Sequence, residues 1–188
     1  MDDLELCVAL TSTDKLRREI QAVREEARDF ARTANDAEQH GRRKNLRIRG
    51  LPLKSGEDCK QAVLVFCHQM LHAPLSDDDI EIVHILPIRT SDNQTASAKS
   101  EVNPIIVRFH SQEVRKDIII RQKTLKGTKF SIAEDLTALN MSTLNRLHKD
   151  VAIDKTWYWN GRLFVSTKNN HTLLVKPFQT LQECVVIS

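Results

Sequence analysis

The sequence predicts an α+β protein, on three observations. Residues 1–40 carry a heptad repeat without Gly or Pro, residues 42–134 read strand, helix, strand, strand, helix, strand, and residues 135–188 hold an Asn-Gly turn between two β-rich runs. The expected organisation is an N-terminal coiled-coil helix, a βαββαβ unit and a small α+β piece built on a hairpin.

Charge supports the first boundary. The total is only +3, yet residues 1–40 hold 6 basic and 10 acidic side chains, so an acidic segment is joined to a basic body. The longest apolar run, Ala62 to Cys67, is far shorter than the ~18 residues of a membrane span. The start MDDLEL is acidic where a secretory signal would be basic. Neither a transmembrane nor a secreted chain is expected. Cys7, Cys59, Cys67 and Cys184 form no C-x-x-C pair, which predicts neither a zinc knuckle nor a disulfide framework and places the chain in the cytoplasm or nucleus.

In the first segment Leu6, Ala9, Thr13, Leu16, Ile20, Val23, Ala27, Phe30, Ala34 and Ala37 recur at alternating steps of three and four. With Leu16, Val23 and Phe30 at d and Ile20 and Ala27 at a, Glu19 falls at g and Arg24 at the following e, the spacing of a pair between parallel helices. A one-stripe helix needs a partner, so the preferred reading is homo-oligomerisation through Leu16, Ile20, Val23, Ala27 and Phe30, as a dimer or trimer. The alternative is a single amphipathic helix folded back onto the body.

Glu38 to Gly41 read as a linker. Alternation in Leu46-Arg47-Ile48-Arg49 then predicts a strand with one apolar and one basic face. A helix beginning at Ser55 or Gly56 presents Cys59, Ala62, Val63, Phe66, Cys67 and Met70 and ends before Pro74. Asp77 to Asp79 form an acidic turn, Ile80 to Ile88 a second strand that Pro87 ends or assigns to an edge, and Thr90 to Asn103 a polar loop. Pro104 to His110 is β-branched and strand-like; Ser111 and Glu113 open a helix to about Lys123, with Val114 and Ile118 inward and Arg115, Lys116, Arg121 and Lys123 outward. Gly127 breaks the helical phase and Lys129 to Ala133 form the last strand.

That order is the ferredoxin-like split βαβ arrangement, with helices on one face of the sheet and the other face free. Its first and third strands are neighbours, so Arg47, Arg49, Arg108 and Ile106 share the free face. An RNA-recognition domain carries its two motifs there, but here Arg stands in place of one stacking aromatic, and Pro104 and Ile106 in place of two others. The platform is cationic. Guanidinium groups pair with phosphates or lie over bases, so contact with the nucleic-acid backbone and little sequence choice are expected. Arg42, Arg43, Lys44, Arg121, Lys126 and Lys129 extend the candidate surface.

After a helix over Thr137 to Val151 with Met141, Leu144, Leu147 and Val151 on one side, Asn160-Gly161 predicts a two-residue hairpin turn. Trp157, Trp159, Arg162 and Phe164 then share a face. By themselves these residues also fit packing of both Trp side chains on the preceding helix, since so small a piece needs every large side chain it has. Leu173 to Val175 add a strand, a short helix follows Pro177, and Cys184 to Ser188 form a tail.

Arg43-Lys44-Asn45-Leu46-Arg47-Ile48-Arg49-Gly50-Leu51-Pro52, Pro104-Ile105-Ile106-Val107-Arg108-Phe109 and Leu125-Lys126-Gly127 with Ala133-Glu134-Asp135-Leu136 resemble the first-open-reading-frame protein of LINE-type retrotransposons. Trp159-Asn160-Gly161-Arg162-Leu163 is similar to that family's aromatic-Pro-Ala-Lys-Leu run, with a tighter turn, and the similarity implies that Trp159 and Arg162 are a stacking and phosphate-contact pair that closes on the bound strand. The resemblance covers about residues 42–166. It implies a coiled coil, a noncanonical RNA-recognition domain and a C-terminal domain that act together as an oligomeric single-stranded RNA or DNA binder and chaperone in ribonucleoprotein particles, although the coiled coil is much shorter here. The C-terminal part also resembles the few-polyhedra protein of baculoviruses, a related family, and that resemblance permits the alternative of a coiled-coil adaptor that keeps the fold but has lost nucleic-acid binding.

No catalytic centre, metal site or cofactor is expected. His68 and His72 lie i, i+4 without a third ligand nearby, and three consecutive Asp residues cannot all face one ion. Acylphosphatases share the ferredoxin-like fold, but the basic residues here spread over a face instead of gathering in a phosphate-sized loop.

Overall fold

The computed structural model describes residues 3–54, 56–87 and 102–187, so Ser55 and most of the loop expected from Thr90 lie outside the described residues. The fold is α+β, with a long N-terminal helix and two four-stranded sheets. It divides into two compact units, one of Gln39–Leu136 with Tyr158–Gly161, the other of Met1–Glu38, Thr137–Trp157 and Arg162–Ser188.

Helix α1 spans Asp3–Arg42 and runs through the expected linker. A lone glycine costs a helix only about 1 kcal/mol, and no proline stands near Gly41. Gln39 and Arg42, on either side of Gly41, both donate to Asp135, and those hydrogen bonds offset the cost.

In the first unit the strands β1 (Asn45–Arg49), β2 (Ile80–Ile85), β3 (Ile105–Phe109) and β4 (Ser131–Glu134) pair antiparallel in the order β2-β3-β1-β4. Leu46 stands opposite Val107 and Glu134, and Arg47 opposite Ile106 and Ala133. Side chains alternate along a strand, so Leu46, Ile48, Ile105, Val107, Phe109 and Ile132 turn to one face. There they form a core with Val63, Phe66 and Cys67 of α2 (Cys59–Leu71) and Ile118 of α3 (Gln112–Arg121).

The boundaries follow from capping. Helix α2 starts later than expected because the Asp58 carboxylate accepts the Lys60 N–H at 2.8 Å. Ser111 caps α3 as expected, but the helix tightens at Gln122–Leu125 into a 3-10 turn. Strand β2 lies at the sheet edge, as Pro87 suggested. Gly50 follows β1 at φ +84°, and a Cβ there would overlap the Lys129 carbonyl oxygen. Gly50→Ala is therefore expected to destabilise by about 2 kcal/mol in urea unfolding; an unchanged midpoint would show that the turn tolerates another conformation.

In the second unit α4 (Ala138–Leu147) accompanies β5 (Ile153–Trp159), β6 (Arg162–Thr167), β7 (Thr172–Val175) and β8 (Val185–Ile187), ordered β5-β6-β7-β8. Leu147, Leu163, Val165, Leu173 and Val175 are buried. Two expectations are corrected. Val151 is 82% exposed, so the apolar stripe ends at Leu147, and the supposed tail from Cys184 supplies β8, which pairs with β7.

The N-terminal helix joins this unit through polar groups. Asn35 accepts from the Thr137 hydroxyl at 2.6 Å and donates to Asn140 at 3.0 Å, while Arg32 Nε donates to the Pro177 carbonyl at 3.0 Å. The heptad stripe stays uncovered: Leu16, Ile20, Val23 and Phe30 are 55%, 50%, 64% and 75% exposed. Folding back on that stripe is therefore not what anchors the helix.

Candidate nucleic-acid interface

The sheet face opposite the core carries Asn45, Arg47, Arg49 and Arg108, as alternation and register require. It is less open than the sequence suggests, because Ile106 on this face is only 8% exposed. Arg49 is exposed. Arg108 Nε donates to Glu81 at 3.0 Å and its Nη1 to the Gly41 carbonyl at 3.3 Å.

Two consecutive carboxylates organise the site. Glu134 ends β4 and turns toward α3, and the next residue, Asp135, turns to the arginine face. Asp135 is 2% exposed. Its Oδ1 receives Arg47 Nε and Nη2, each at 2.7 Å, and Arg42 Nη1 at 3.3 Å. Its Oδ2 accepts from Asn45 at 3.0 Å, and its backbone carbonyl accepts from Gln39 at 3.0 Å. Both arginines keep a quarter to a third of their side chains in water, at 26% and 32%, so they present held but reachable guanidinium edges.

Glu134 locks the opposite side. Its carboxylate receives Arg115 Nη2 at 2.9 Å and the backbone N–H groups of Asn160 and Gly161 at 2.9 and 3.1 Å. The expected hairpin turn is present, with φ of 51° at Asn160 and 74° at Gly161. Gly161 is required there twice over, since a Cβ would also press on Arg43 Nε at 3.3 Å. The placement of Arg115 outward is a correction. The side chain is 5% exposed, because it lies on the same helical stripe as Ile118 and finds a buried counter-charge.

Arg43, Gln112, Arg115, Lys116, Trp159 and Asn160, with Glu113 at the rim, line a cleft of about 240 Å³. Arg43 Nε and Arg115 Nε are buried and have no hydrogen-bond partner. The Ser111 hydroxyl, donating at 2.6 Å, holds the Glu113 carboxyl below its usual range, with Lys116 and Lys44 adding to the effect.

The remaining candidates are dispersed. Arg121 pairs with Asp117 at 2.7 Å and donates to the His72 carbonyl at 2.9 Å, so it caps the end of α2 on the helix side of the sheet. Lys129 lies 5.4 Å over the Phe130 ring; Lys126 and Arg162 are exposed. Trp157 stacks on Phe164 at 5.8 Å with 15° between planes, and both Trp157 and Trp159 keep more than a third of their surface exposed.

His68 Nε2 lies 2.6 Å from the Leu75 carbonyl and His72 takes the left-handed cap position, so each serves the end of α2. Among the described residues no group of three or more His, Cys, Asp or Glu is placed to hold a metal ion, and Cys59, Cys67 and Cys184 are free thiols. No helix among them is long and apolar enough to cross a membrane. The sequence pattern missed Glu134, Asp135 and Arg115; continuing the alternation of β4 by two residues and counting Arg115 with the Ile118 stripe would have found all three.

No protein-family model matches this chain, and no curated protein is significantly similar to it.

Proposed function

We propose that the chain is a non-enzymatic, oligomeric single-stranded nucleic-acid binding protein, an RNA binder and chaperone of retrotransposon or viral descent working in cytoplasmic or nuclear ribonucleoprotein particles. Its first unit reads as a noncanonical RNA-recognition-type domain of ferredoxin-like topology. The element order β1-α2-β2-β3-α3-β4 and the sheet order β2-β3-β1-β4 support that reading. The observation that carries the function is the arginine face. Arg42 and Arg47 are oriented by one buried carboxylate, with Arg49 and Arg108 on the same sheet face, which is how a surface that grips phosphates without reading bases would be built.

Oligomerisation rests on the uncovered stripe of α1. The partner is a second parallel copy, because Glu19 at g then faces Arg24 at e, whereas an antiparallel pair would set like charges together.

A filter-binding salt titration with a single strand of about 30 nucleotides tests the function. Binding is expected, and Arg49→Ala with Arg108→Ala should lower the slope of log K against log salt by about 1.4, at roughly 0.7 per lost phosphate contact. Arg47 is avoided in that pair because its loss would also strand Asp135. An unchanged slope removes the arginine face from the interface. No binding at low salt, together with an oligomeric mass, would favour the adaptor reading, to which the ion pairs of Arg47 and Arg108 already lend weight.

A further inference from the structure

The cleft at the start of α3 is separate from the arginine face, since Glu134 and Asp135 send their side chains to opposite sides of β4. Three features make it more than a helix end. Its lining brings three cations together, Arg43, Arg115 and Lys116. Arg115 is 95% buried by its 5% exposure and carries an Nε donor without an acceptor, as does Arg43. Trp159 stands on the wall, held in place because Glu134 binds the two backbone N–H groups that follow it.

Deepening the nucleic-acid reading and resting on it, we infer that this cleft is a subsite for one internal nucleotide of a bound single strand: the phosphodiester sits against Arg43, Arg115 and Lys116 and the base lies on Trp159. Charge selects the ligand class. Against the three cations stand Glu113 at the rim and Glu134 behind Arg115, which leaves a net single positive charge, and Lys44 beside Glu113 adds at most one more. That matches a phosphodiester, with one negative charge per nucleotide, and falls short of a nucleoside di- or triphosphate. The two idle guanidinium N–H groups are the donors that an entering oxyanion would satisfy once the side chains turn slightly, and charge-assisted hydrogen bonds from arginine are the strong ones. A flat indole accepts any base, so the subsite adds grip without sequence choice. Glu134 acts as a positioning residue, since it holds both the phosphate donor and the turn that carries the stacking ring.

The test reads Trp159 alone. The chain has two tryptophans, so in Trp157→Phe the indole emission reports on the cleft. A single-stranded RNA of about 30 nucleotides should quench that emission. Adding Lys116→Glu should weaken the strand's affinity about tenfold or more, while Lys123→Glu, on the exposed following turn, should change it less than about twofold. Adenosine 5′-monophosphate should quench only at concentrations at least about a hundredfold higher, and inorganic phosphate should not quench. Should labelled RNA bind with no change in Trp159 emission, and Lys116→Glu behave as Lys123→Glu does, the subsite is overturned while nucleic-acid binding stands. Should RNA fail to bind altogether, the functional reading falls, and the subsite as stated falls with it; quenching by the mononucleotide that Lys116→Glu abolishes would then assign the cleft to free nucleotides.

Discussion

Asp135→Asn is expected to lower the stability of the folded chain by about 3 kcal/mol, read as a shift of the urea midpoint followed by circular dichroism. Asp135 is 2% exposed and meets Arg47, Arg42 and Asn45 at once. An amide in its place offers one acceptor oxygen where two oxygens served four N–H donors from three residues, and its NH₂ group would face a guanidinium. Loss of one partner of a buried ion pair costs about 3–5 kcal/mol, and the lower figure applies because both arginines are partly in water. The same change removes a negative charge from the arginine face. If Asp135 were merely a competitor of phosphate, the variant would keep its stability and bind single strands more tightly at low salt. An unshifted midpoint would therefore remove Asp135 as the organiser of that face.

The second large effect concerns assembly. Ile20→Asp combined with Val23→Asp is expected to convert the full chain from an oligomer to a monomer in sedimentation equilibrium at micromolar concentration. Each substitution would set a carboxylate in an apolar seam, where burial without a partner costs several kcal/mol, so the dissociation constant should rise by about a thousandfold or more. Arg18→Asp, at the outward f position, should leave the mass unchanged. A monomeric wild-type chain would sink the coiled coil outright. Point variants are preferred to removing residues 1–41, because Asn35 bonds Thr137 and Asn140, and Gln39 bonds Asp135; truncation would damage the folded units as well as the assembly.

The long helix shows how far periodicity carries. Its apolar stripe was legible from Leu16, Ile20, Val23 and Phe30, and those residues are at least half exposed in the single chain. Its second face was not. Arg32, Asn35, Gln39 and Arg42 also recur at helical spacing, but polar residues at that spacing ordinarily mark a solvated surface. Only their partners turn them into an anchor, and Pro177, Thr137 and Asp135 lie far away in sequence. The hairpin is the opposite case. Asn160-Gly161 specifies its turn locally, because both residues must take positive φ, and sequence alone located it to the residue.

Helical and strand periods and turn chemistry act over a few residues, so the α+β class, nearly every strand and helix, and the face on which Arg47, Arg49 and Arg108 stand could all be read before folding was considered. Which charges meet is a matter of the folded chain. Arg47 and Asp135 are 88 positions apart, and Arg115 reaches Glu134 from another element of the sheet unit. No local period encodes such pairs, since an arginine bound for water and one bound for a buried carboxylate read alike until the chain has folded. What looked like a uniformly basic body is thereby resolved into arginines held by carboxylates and a separate cleft whose guanidinium donors still lack an acceptor.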